Sequence, residues 1–107
     1  MASQEIVESQ ESLGLDFATG ARDFVKDLPP RQTFTKLGLK ALIKSAKDNV
    51  TVSNIGSVFL NYASGAYLFA LSLQGSAYKE WTKDELLDLA TMRYTHAREA
   101  YLCSLRN

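Results

Sequence analysis

The sequence is short of the residues most chemistry needs. Its 107 residues include one cysteine, Cys103, one histidine, His96, and two prolines, Pro29 and Pro30. A single cysteine excludes an internal disulfide and any multi-cysteine zinc site, and it fits a reducing compartment, so the cytoplasm is the expected location. The one histidine leaves a Ser-His-Asp triad only His96 to use, and no serine stands in a nucleophile-elbow sequence with flanking glycines. The six glycines, at 14, 20, 38, 56, 65 and 75, match neither a phosphate-binding loop nor a dinucleotide fingerprint. His96, Glu99 and Cys103 share one side of a helical register, but three groups on one helix rarely close a tetrahedral metal site. Cys103 and His96 as nucleophile and base fail on distance, since seven residues rise about 10.5 Å along a helix. No catalytic residue, metal site or cofactor is therefore assigned. The first 15 residues carry Glu5, Glu8 and Glu11, no basic residue and no apolar run, which fits neither a secretory signal nor a transit peptide.

What is present is ordinary for a folded domain: 46% hydrophobic and 22% charged residues, in a length that fits one core. The expected fold is all-α, a single-domain antiparallel bundle of three to four helices over about 16–28, 34–48, 54–74 and 83–105, with a polar N-terminal arm over 1–15. The adjacent prolines mark the first boundary, because each lacks an N–H and restricts the residue before it. Asp16, Thr33 and Ser53 are the expected caps of the first three helices, Asn49 closes the second ahead of a β-favouring piece at Val50 to Ser53, and Gly75 stops the third. The last start is the sharpest. Thr82 and Glu85 match the capping box, with Trp81 and Leu86 as the hydrophobic staple around it.

Charge is zero overall but segregated. Residues 1–30 hold two basic and six acidic side chains, residues 31–48 five basic and one acidic, and residues 79–107 five of each. In the basic segment Lys36, Lys40, Lys44 and Lys47 step by four, four and three, which stacks four ammonium groups along one helix face, with Arg31 just ahead. Like charges at that spacing repel by about 0.2 to 0.5 kcal/mol per pair unless a partner neutralises them. A DNA or RNA backbone would do so without sequence being read. The plainer expectation is a solvated face, or one paired with Asp16, Asp23 and Asp27 of the first helix. No aromatic residue is interleaved with the lysines, so single-strand stacking is not indicated.

Between Asn49 and Tyr78 no residue is charged. The helix read there is long enough to be tested as a membrane span, but its serines, glycines and Asn61 dilute it and its two faces differ, which favours a buried helix of a bundle. One face is bulky, with Phe59, Tyr62, Phe69 and Leu73. The other, Ser57, Asn61, Ser64, Gly65, Leu68 and Ser72, is small and polar enough for another backbone to approach closely, and is the expected interface with a second copy or another protein subunit.

The functional expectation is thus a non-enzymatic small helical subunit of a larger protein or nucleoprotein assembly. It would contact a phosphate backbone, or an acidic partner, through the lysines and pack on other subunits through the neutral helix. The alternative is a protein-protein adaptor or inhibitor, of the kind found among phage and bacterial accessory proteins, with no nucleic-acid contact.

Overall fold

A computed structural model of the chain describes residues 10–30, 33–52, 58–74 and 80–106. Four helices pack into a small all-α bundle: α1 (Gln10–Lys26), α2 (Lys36–Val52), α3 (Val58–Ser72) and α4 (Lys83–Leu105). Two dipeptide strands, β1 (Thr33–Phe34) and β2 (Trp81–Thr82), pair antiparallel, with Thr33 opposite Thr82 and Phe34 opposite Trp81.

Three expected boundaries move, each for a reason outside its own segment. α1 begins at Gln10, so Asp16 is not a cap but a mid-helix residue whose carboxylate accepts a 3.1 Å hydrogen bond from Asn61 Nδ2. Leu13 and Leu15, in the extra turns, are half-buried, so tertiary packing extends the helix. α2 is capped by Thr35 rather than Thr33: the Gly38 N–H donates to Thr35 Oγ1 at 3.3 Å, while Thr33 is drawn into the strand pair. α2 then runs past Asn49 to Val52, and Thr51 Oγ1 donates back to the Lys47 carbonyl at 3.1 Å. The β preference of Val50 and Val52 is a few tenths of a kcal/mol and is overridden there, with Val50 half-buried. Ser53, residues 54–57 and Gly75 lie outside the described residues.

The start of α4 follows the sequence reading closely. Thr82 adopts extended backbone, its Oγ1 accepts from the Glu85 N–H at 3.1 Å, and its own N–H donates to Glu85 Oε1 at 3.1 Å. Trp81 packs against the core cluster that contains the fully buried Leu86.

Contacts at one end fix the helix directions. Lys83 Nζ donates to the carbonyls of Lys26, at 3.0 Å, and of Leu28, joining the start of α4 to the end of α1. The β1–β2 pair joins the start of α2 to the start of α4. α1 therefore ends where α2 and α4 begin, and successive helices run antiparallel. α3 returns to the same end, where Leu73 shares a core with Val25, Phe34, Leu39 and Leu86.

α1 packs against both α3 and α4, whereas α2 packs against α3. The α1–α3 crossing is backbone on backbone. A Cβ placed on Gly20 would strike the carbonyl group of Tyr62, and one placed on Gly65 would strike that of Phe17. Glycine is the residue that lets two helix axes come this close.

Candidate nucleic-acid interface

α2 is amphipathic in a way that decides what its lysines face. Leu39, Leu42 and Ala46 are buried, and Lys36, Lys40, Lys44 and Lys47 are all exposed. At about 100° per residue the four lysines occupy an arc of about 80°, and Lys36 to Lys47 spans about 16 Å of helix. Asn49 marks the side of α2 turned to α1, where it lines a cleft with Asp23, Asp27 and Tyr62. That side lies at least about 140° around the helix from every lysine. The acidic residues of α1 and the lysines of α2 thus flank different surfaces.

The carboxylates have other neighbours. Asp16 bonds Asn61, and Asp23 sits 4.0 Å from the Arg22 guanidinium. Lys44 meets Asp48 on its own helix at 3.3 Å, with both side chains more than 60% exposed. A pair in that position is worth about 0.3 to 0.5 kcal/mol at most. Lys40 and Lys47 have no ion-pair partner among the described residues. Arg31 lies outside the described residues. The face also carries apolar groups: Leu37 and Val52, on the flank beside the lysines, are 77% and 81% exposed.

The small stripe of α3 is placed differently. Gly65 is buried against Phe17, and Asn61 is half-buried and bonded to Asp16, so the backbone that approaches this stripe closely is α1 of the same chain. Ser64 is half-buried, and Ser72 is exposed, accepting from Arg93 Nη1 at 3.1 Å and donating to the Phe69 carbonyl at 2.7 Å. Leu68 stays 52% exposed at the edge of a 290 Å³ groove between α1, α3 and α4, beside Phe17, Phe69 and Arg93. Ser57 lies outside the described residues.

Residue patterning alone did not single out Gly20, Phe17 or the Arg22–Tyr94 pair, whose guanidinium carbon lies 3.9 Å from the ring centroid. A glycine inside a helical register was the available signal for Gly20, since an exposed helix interior does not favour glycine. His96, Glu99 and Cys103 are exposed on α4, and no group of three or more His, Cys, Asp or Glu side chains gathers into a metal-binding arrangement among the described residues. No helix among the described residues is long and apolar enough to cross a membrane. Comparison with protein-family models, curated proteins and solved structures finds no match to the chain.

Proposed function

We propose that this chain is a non-enzymatic helical subunit that holds the lysine face of α2 against the phosphate backbone of a nucleic acid. One observation carries the reading: Lys36, Lys40, Lys44 and Lys47 share an exposed arc turned away from the aspartates of α1. Their mutual repulsion, about 0.2 to 0.5 kcal/mol per adjacent pair, is relieved when phosphates occupy the face, and released counterions supply the favourable term. Anchoring of α2 on α3 through Leu39, Leu42 and Ala46 holds the backbone positions of the four lysines in a fixed row. Of the neutral helix, Phe59 and Leu68 are exposed and, with the groove beside Leu68, are left for another subunit.

A second reading has an observation of its own. Leu37 and Val52 project beside the lysines, and a phosphate backbone leaves them in water. An acidic protein partner with an apolar seam would cover both kinds of residue, as in the adaptor or inhibitor reading.

Charge reversal separates the two. The variant with all four lysines changed to Glu, checked for helicity by circular dichroism, is expected to lose binding to a labelled oligonucleotide. Persistent binding with an unchanged salt dependence would overturn the proposal. Size-exclusion chromatography with light scattering at low and high salt adds an independent check. Co-purified nucleic acid released at high salt supports the phosphate reading, and a clean peak above 11.9 kDa favours the adaptor.

A further inference from the structure

Resting on that reading, we infer that the nucleic acid is a duplex, touched along one strand of its backbone and not read through its bases. α2 presents its lysines on a convex rod about 10–12 Å across, whereas single strands are held in grooves lined with aromatic rings on which bases stack. The exposed positions of α2 carry no aromatic side chain: beside the lysines stand Leu37, Ala41, Ser45, Thr51 and Val52. Stacking, worth about 1 to 3 kcal/mol per base to single-strand binders, has no platform here.

The width of the arc then limits the mode of contact. A helix seated in the major groove, which is about 12 Å wide, faces phosphates on both walls. The lysines cover only about 80° of α2, and the flank next to them bears Leu37, Asp48 and Ala41. Seating α2 in the groove would turn Leu37 and Ala41, which offer a phosphate no charge, toward the second strand. Lying along one strand engages the lysines without requiring that flank to meet a phosphate.

Counterion release gives the size of the preference. Four phosphate contacts predict a slope of log K against log salt of about −3.6 on duplex DNA and about −2.8 on single-stranded DNA. With equal affinity extrapolated to 1 M salt, the difference amounts to about tenfold at 0.05 M in favour of the duplex. Fluorescence anisotropy of the full chain with a labelled 20-base-pair duplex, its separated strands and a duplex of unrelated sequence, over about 0.05 to 0.3 M salt, tests this.

The expected result is about tenfold tighter duplex binding at 0.05 M, equal affinity for the two duplexes, and a slope that becomes shallower by about 0.9 in Lys44→Gln. Single strands bound as tightly as the duplex would overturn the duplex inference, and a duplex slope steeper than about −4.5, the value for all five cations with Arg31, would overturn the one-strand contact; either leaves the phosphate reading standing. A slope unchanged in Lys44→Gln would sink the one-strand contact, since Lys44 is then not on it. Absence of binding to every oligonucleotide would remove the phosphate reading itself.

Discussion

Of the four glycines in the described helices, Gly14, Gly20 and Gly65 have very different surroundings, and substitution of each is expected to report that difference. At Gly20 and Gly65 an added methyl meets the backbone of the opposing helix, which cannot rotate aside as a side chain does. Gly20→Ala and Gly65→Ala should each lower stability by about 2 to 3 kcal/mol or more, at the upper end of overpacking costs. Gly14→Ala should do the reverse. Nothing lies within 4 Å of its added Cβ, and removing glycine from a helix gains about 0.5 to 1 kcal/mol. Urea unfolding midpoints of the three variants check both signs. Loss of the reciprocal cap in Thr82→Ala should destabilise by about 1 kcal/mol, measured in the same way. The cap was legible in the sequence because both partners lie within four residues. The glycine crossing was not, because Gly20 and Tyr62 belong to segments that meet only after folding.

The helices were legible at the scale of elements, their ends less so. Apolar residues at three- and four-residue steps marked all four, since that spacing is a property of the local chain. Thr33 was read as a cap because its neighbours fit one. The structure uses Thr35 instead, and Thr33 pairs with Thr82, 49 positions along. For α2 the lysine spacing was visible in the sequence, but the direction of the face was not. The burial of Leu39, Leu42 and Ala46 on α3 turns it outward. This yields a separation of stability from binding. Lys40→Glu converts two repulsive steps, to Lys36 and to Lys44, into attractive ones, so thermal stability should hold or rise by a few tenths of a kcal/mol. Oligonucleotide affinity at low salt should fall at the same time. Parallel thermal melts and anisotropy titrations measure the two, and a fall in both would mean that Lys40 supports the fold.

The whole molecule is closed at the end where the β1–β2 pair, the Lys83 bonds and Trp81 meet the core. Trp81, the one tryptophan, therefore reports on a long-range contact, while circular dichroism reports on the helices. If the bundle unfolds as one unit, tryptophan fluorescence and helix ellipticity should give the same urea midpoint. A fluorescence transition at lower urea would show that this end opens before the rest. Salt has opposite meanings for stability and binding in this chain. The surface pair Lys44–Asp48 contributes little and salt also screens the repulsion along the lysine row, so raising salt should leave the unfolding midpoint unchanged or slightly higher while weakening any phosphate contact steeply.

The sequence by itself determined the all-helical class, the boundary at the prolines, the cap of α4 and the grouping of charge, because each depends on residues a few positions apart. It also located a face of α3 suited to a close backbone. Which backbone arrives there was decided by tertiary structure, since α1 of the same chain supplies the matching gap at Gly20. The outward orientation of the lysines was decided likewise. Burial and long-range approach are properties of packed segments, and local spacing constrains them without selecting the partner.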